Sequence, residues 1–250
     1  MTTGARPLGT EDGAADEATS SQSVKRMFDS IAPRYDLLNR VLSANIAPVW
    51  WQRTARAFAD ILRQPQACVV DLCCGTGSLT LELEKLRPAD SAPVLAIDFS
   101  HAMLALGKPR FRDALAIEAN AMQLPLADNS VDLITTAFGF RNLPNYDAAL
   151  RELHRVLKPG ATLAILEANE PDGFFAPFYR LYFHHVVPRI GSLLSSRSAY
   201  AYLPASVARF PSPPRLLAMA RAAGFTAAAW APYSFGIAGL YSCRKSSDTK

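Results

Sequence analysis

Residues 69–83 read VVDLCCGTGSLTLEL, and their order decides the architecture. An apolar run closes on an acid, Asp71. Gly75 and Gly77 follow, and then Leu79, Leu81 and Leu83 recur between polar residues. That order predicts a buried strand, a tight turn and a helix. Glycines in such a turn let backbone approach a ligand closely, and the N–H groups that open the helix can meet its polar end. An adenosine-containing ligand is the expectation.

Working outward, the same alternation repeats. ACVVDL, PVLAIDF, ALAIEAN, VDLITTAF and ATLAILEAN are short apolar runs, while SLTLELEKL, HAMLALGK and YDAALRELHRVL carry helical patterns. Strands that read as unbroken apolar runs are covered on both faces, as in parallel sheets, and right-handed crossovers then put helices on both sides. The chain end GFTAAAWAPYSFGIAGLYSCRKS adds two strands joined by a turn. The reading is α/β: a doubly wound, mostly parallel seven-stranded sheet with a terminal antiparallel hairpin.

Residues 1–23 read as a flexible polar tail, without the charged start and apolar run of a secretory signal. One domain over residues 24–247 follows it. Two segments fall outside the alternation: an N-terminal helical block, 24–64, and an aromatic- and proline-rich insertion, 173–212. Both are expected to cover the carboxyl edge of the sheet, where ligands bind in this architecture. In the first, Val24, Phe28 and Ile31 have helical spacing before a break at Pro33, which suits a lid.

The composition is 50% hydrophobic and 19% charged, which excludes a disordered chain. No window reaches the ~18 uninterrupted apolar residues of a membrane span, so the expected location is cytoplasmic. Cys68, Cys73, Cys74 and Cys243 have no metal-ligand spacing, so no metal is expected, and four cysteines are too few for a disulfide framework in a chain this long. The net charge of +4 comes from scattered basic residues, which argues against nucleic acid and leaves room for attraction to an anionic membrane surface.

The second strand ends in Asp98, ~20 residues beyond the glycine turn, where an acid reaches ribose hydroxyls. A nicotinamide dinucleotide would need G-x-G-x-x-G after the first strand, but Cys73 and Leu79 occupy positions where that pattern wants small residues. The anion Asp71 would repel a pyrophosphate and suits a cation instead. S-adenosylmethionine, an adenosine carrying an ammonium and a sulfonium, meets both requirements. At the expected end of the third strand, the Asn120 amide can bond an adenine edge, and Ala121 leaves room for the ring.

With these residues in view, the chain resembles the ubiquinone and menaquinone biosynthesis C-methyltransferases, within the class I S-adenosylmethionine-dependent methyltransferases. The resemblance runs from Val24 to Arg244, through MFDSIAPRYDLLNRVLS, DLCCGTG, AIDFSHAML, ANAMQLPLADNSVD, AFGFRNLP, RVLKPGATLAILE and YFHHVVPRIGSLLSSRSAYAYLPASVARFPSP. It implies methyl transfer to a ring carbon of a polyprenylated quinol. On matching positions it implies cofactor contacts from Thr76, Asp98, Asn120, Ala121 and Ala137. Many relatives have Ser where this chain has Ala137, so any contact there comes from backbone. Relatives also differ at LEANEP, which leaves Asn169 and Glu170 without an assigned role. Cys73 and Cys74 resemble the menaquinone-making relatives.

For the chemistry, Arg141 and Asn142 in FGFRN are placed to stabilise a phenolate oxygen, with Arg141 the main electrostatic group. Tyr35 in APRYD is placed to hydrogen-bond near the methyl group. His184 and His185 are candidate bases of which at most one faces the site. Phe174, Phe175, Phe178, Tyr179, Tyr182 and Phe183 share one helical face, suited either to core packing or to a prenyl chain, with Arg180 and Arg189 flanking it for lipid head groups. Rival readings are a small-molecule O- or N-methyltransferase and a non-catalytic cofactor-binding subunit.

Overall fold

Val69 and Val70 are neighbours, both fully buried, yet they pack into different clusters on opposite faces of one sheet. This is the physical meaning of an unbroken apolar run: successive strand side chains point to opposite sides, and here both sides are covered. The computed structural model describes residues 14–43, 45–171 and 205–247. Its strands are β1 (Val69–Leu72), β2 (Leu95–Asp98), β3 (Leu115–Glu118), β4 (Val131–Ala137), β5 (Leu157–Ala168), β6 (Phe225–Tyr233) and β7 (Ala238–Lys245). They form one seven-stranded sheet in the order β3-β2-β1-β4-β5-β7-β6. The first five strands pair in parallel, and β7 lies antiparallel between β5 and β6. The terminal hairpin expected from sequence is therefore present, with its second strand docked inward.

The helices are α1 (Ala14–Ile31), α2 (Tyr35–Leu42), α3 (Ala47–Ala57), α4 (Ala59–Leu62), α5 (Ser78–Glu84), α6 (His101–Gly107), α7 (Tyr146–Val156) and α8 (Pro213–Ala222). Leu150, Leu153 and Val156 of α7 and Leu216 of α8 fill one face with Val70, Ile134 and Leu163. Trp50 of α3 and Leu79 and Leu83 of α5 fill the other with Val69, Leu133 and Leu166. A third, smaller cluster joins Ile31 and Ala32 at the end of α1 to Met103 of α6.

Three expectations change. Residues 14–23 are helical and not tail, because from Ala14 to Ile31 neither glycine nor proline interrupts the chain. Of the block 24–64, α1, α2 and the first turn of α3 lie at the ligand edge, where Trp51 lines a cavity, whereas the rest of α3 and α4 bury Ala55 and Leu62 in the core. The break falls where expected, with Pro33 in a short 3-10 turn between α1 and α2. Strand β3 ends at Glu118, and Asn120 forms an isolated bridge with Gln123 beyond it. Among the described residues no helix is long and apolar enough to cross a membrane.

Candidate active site

The strand order reverses between β1 and β4, so the loops leaving their carboxyl ends diverge and open a crevice. Cys73, Gly75 and Gly77 in the first of those loops all have positive φ, at 51°, 56° and 81°. Three such residues within five fold the chain back on itself. The turn is held by Cys74 N donating to Ile97 O (3.1 Å) and by Gly75 N donating to Asp98 Oδ2 (2.9 Å).

A cavity of about 410 Å³ opens there, within the usual range for small-molecule sites. Among its lining residues are Tyr35, Gly75, Asp98, Asn120, Ala121 and Asn142. A smaller cavity beside it is lined by Asp71, Thr76 and Ala137, and the two share Tyr35, Cys73 and Phe138 as walls. Nine of the sequence-derived site residues thus gather at one crevice. The large cavity suits a nucleoside and the small one its charged tail.

Both acids are buried. Asp98 Oδ1 accepts from Ser100 N (2.9 Å) and Oδ2 from Gly75 N, yet burial pushes its carboxyl up to about 6 against those bonds. Asp71 accepts from Thr80 Oγ1 (2.6 Å) and Thr135 Oγ1 (3.1 Å), and burial pushes it up to about 7, with Asp98 adding repulsion. Two buried carboxylates on adjacent strands, each raised chiefly by burial, make an environment that a cationic ligand relieves. The residues present therefore fit S-adenosylmethionine: Asp98, Asn120 and Ala121 for the nucleoside, Asp71 and Thr76 for the charged end. Burial also raises the thiols of Cys73 and Cys74 well above their usual value, which leaves them protonated wall residues and poor nucleophiles.

Two of the expected site residues stand apart from these cavities. Gly77 lines neither cavity: it caps α5, and a Cβ there would lie 2.0 Å from the Phe111 ring. Packing and a left-handed φ both require glycine there. Arg141 also lines neither cavity. Its Nη1 donates to Glu167 Oε1 (2.5 Å) and to Phe138 O (2.6 Å), while its backbone N donates to Glu167 Oε2 (3.1 Å). A guanidinium already neutralised by a fully buried carboxylate has little charge left for a phenolate. It props the Phe138–Asn142 turn from beneath, and Asn142 is the polar side chain of FGFRN that reaches the cavity. Asn169 is likewise taken up by structure, accepting from Tyr241 OH (2.6 Å) and donating to Glu167 O (3.1 Å).

Tyr35 stands over Gly75, and burial raises its phenol above the usual 10, so it remains a hydrogen-bond donor. Sequence reasoning missed the apolar walls Phe99, Met103 and Phe138 and the mouth residues Lys25 and Glu118. The apolar runs carry Phe99 and Phe138 one residue past each strand end, which is the signal that was available. Helix α1 closes the large cavity: Lys25 Nζ meets Glu118 Oε1 (2.9 Å), Ser100 Oγ donates to Asp29 Oδ1 (2.5 Å), and Phe28 makes edge contacts with Tyr35 and Phe99. His184, His185, Arg180, Arg189 and the aromatic series Phe174 to Phe183 lie outside the described residues.

A model of the ubiE/COQ5 methyltransferase family matches residues 16–245. The chain is 44% identical over 232 residues to a demethylmenaquinone methyltransferase of Deinococcus radiodurans, a match covering 90% of this chain and 94% of that one. It is 41% identical over 229 residues to the ubiquinone/menaquinone biosynthesis C-methyltransferase UbiE of Rubrivivax gelatinosus, covering 90% and 88%. Among solved structures, a possible histamine N-methyltransferase of Thermotoga maritima superposes with a TM-score of 0.62 at 19% identity, covering 88% of this chain and 98% of that one, a likeness of fold alone.

Proposed function

This chain belongs to the ubiE/COQ5 methyltransferase family, and from that premise we propose that its acceptor is a prenyl-tailed quinol, a demethylated naphthoquinol first. It is an S-adenosylmethionine-dependent methyltransferase of quinone biosynthesis. When bound, the cofactor supplies a methyl group already activated on sulfonium sulfur. A ring carbon becomes nucleophilic when an adjacent hydroxyl loses its proton, because the phenolate places charge on the ortho carbon. No covalent nucleophile is needed, only alignment and charge stabilisation.

The chain's own residues divide that work. Asp71 and Asp98 hold the cofactor end, Tyr35 and Asn142 offer hydrogen bonds at the acceptor side, and α1 with Phe28 excludes water. Arg141 and Glu167 position the turn that carries Asn142. The naphthoquinol reading is supported by the Deinococcus relative and by the paired Cys73 and Cys74. A tail of isoprene units makes the acceptor a lipid, so the enzyme works as a peripheral protein at the inner face of a membrane.

The observation that carries this reading is a crevice in which apolar walls from Phe28, Phe99, Met103 and Phe138 meet two buried acids. The test is methyl transfer from labelled S-adenosylmethionine to a reduced demethylmenaquinone analogue and to a reduced demethylated benzoquinone analogue. Label on a ring carbon of the naphthoquinol is the expected product. Label on oxygen, or none with either acceptor despite cofactor binding, would overturn the reading.

A further inference from the structure

The first turn of α3 and the turn between β6 and β7 meet at the carboxyl edge. Trp50 Nε1 donates to Ser234 Oγ (2.9 Å), and the Arg53 guanidinium lies 4.1 Å over the Tyr233 ring. On the far side of Trp50 is Phe138, a wall of both cavities, with ring centroids 5.8 Å apart. Outward from this joint stand Ile46, Val49 and Phe235, exposed to 40%, 60% and 74%. Three large apolar side chains beside an active-site wall are a costly arrangement for a surface that meets only water.

The segment that carries Ile46 and Val49 is basic: residues 37–59 contain Arg40, Arg53 and Arg56 and no acid. On α3, Val49, Arg53 and Arg56 are spaced to share one helical face, and both arginines are exposed. Apolar tips flanked by arginines complement an interface whose head groups are anionic and whose interior is hydrocarbon. A protein partner would need acids placed against each arginine; a lipid surface needs only its average charge.

We propose that this face, with Ile46, Val49 and Phe235 at its centre, docks the enzyme onto an anionic lipid surface. The docked orientation turns the Phe138 wall of the crevice towards the bilayer, so that a lipid acceptor enters without crossing water. The proposal rests on the prenyl-quinol reading for its purpose, but not for its test.

The test is co-sedimentation of the full chain with quinol-free vesicles of mixed phosphatidylglycerol and phosphatidylcholine, against phosphatidylcholine alone. The wild type is expected to partition onto the anionic vesicles. Val49→Gln/Phe235→Asn should lower that partition by about tenfold or more, since each large apolar side chain contributes at least that factor when buried. Arg53→Gln/Arg56→Gln should lower it about fivefold per charge removed and flatten its salt dependence. Both variants should keep wild-type turnover on an acceptor whose tail is cut to a water-soluble stub. If the first variant melts early, the arginine variant and its salt titration decide. Wild-type binding by both variants overturns the proposal, as does failure of the wild type to bind anionic vesicles. So does sedimentation showing a dimer that Val49→Gln/Phe235→Asn dissolves, because the face is then an interface between two copies. Failure of the quinol reading would appear differently, as no transfer to the truncated acceptor with vesicle binding intact.

Discussion

Asp71 and Asp98 lie at the carboxyl ends of adjacent strands, are both buried, and hold their protons far above the usual carboxylate range, to about 7 and about 6. The sign of the linkage follows. Between the usual value near 4 and those raised values the folded chain keeps protons that the unfolded chain releases, so stability falls as pH rises through that window. Above about 7 the full penalty of two buried anions is present. A cationic ligand acts in the opposite sense, because it favours the anions. S-adenosylmethionine should therefore bind more weakly at pH 6 than at pH 8, releasing protons on binding near neutrality; calorimetry in buffers of different ionisation enthalpy reads both, and Asp71→Asn should weaken binding and flatten its pH dependence. Arg141 makes a separate case. Arg141→Met leaves Glu167 buried without its cation and should cost about 3–5 kcal/mol in urea unfolding. Arg141→Met/Glu167→Leu should recover most of that, whereas full stability in Arg141→Met with loss of rate alone would return the arginine to the chemistry. The sequence marked Arg141 as a site-loop residue but hid its partner, since Glu167 lies 26 residues away on β5 and only the strand order brings the two together.

At the scale of elements, the glycine turn concentrates the constraints. Gly77 combines a φ of 81° with a missing Cβ that would strike Phe111 at 2.0 Å. Gly77→Ala should thus lose about 1–3 kcal/mol to backbone strain, with the displacement of Phe111 in addition, and thermal melting should show it without any ligand present. Gly139 is the matching close approach on the other side of the crevice: its absent Cβ would sit 2.3 Å from Cys73 Cβ, so the β1 and β4 loops pack backbone to side chain. The strands were legible because burial on both faces leaves an unbroken apolar run, as at Val69 and Val70. The start of α1 was not, because residues 14–23 carry no apolar period and their helix is set only by the absence of breakers. The end of β3 was misplaced for a related reason: β3 is the edge strand, half-exposed, and its apolar pattern runs on into a turn. Ser100 links two elements at once, accepting from Met103 N to cap α6 and donating to Asp29 on α1. Such a residue reads in sequence as a cap; its second bond exists only after α1 has folded over.

For the whole molecule, the division of the core into three clusters sets which part can move. The two large clusters bind helices to the sheet, while α1 is held by the small Ile31, Ala32 and Met103 cluster, by the Ser100–Asp29 bond and by the exposed Lys25–Glu118 pair. An exposed pair contributes about 1 kcal/mol at most, so opening α1 costs far less than unfolding the sheet. The cavity under α1 is also lined by Asp98, Asn120 and Ala121, the residues expected to meet the cofactor, so an opening that uncovers it should release the ligand. Ligand binding should then protect α1 by mass action, about a hundredfold at a hundred times the dissociation constant. Hydrogen exchange read by mass spectrometry should show peptides from residues 22–35 exchanging early in the free protein and slowing by about that factor with S-adenosylmethionine. Peptides from β4 and β5 should exchange only with global unfolding in either state. Equal protection of α1 with and without cofactor would mean that α1 is a fixed wall, and the acceptor would then need an entrance on the α3 side of the crevice.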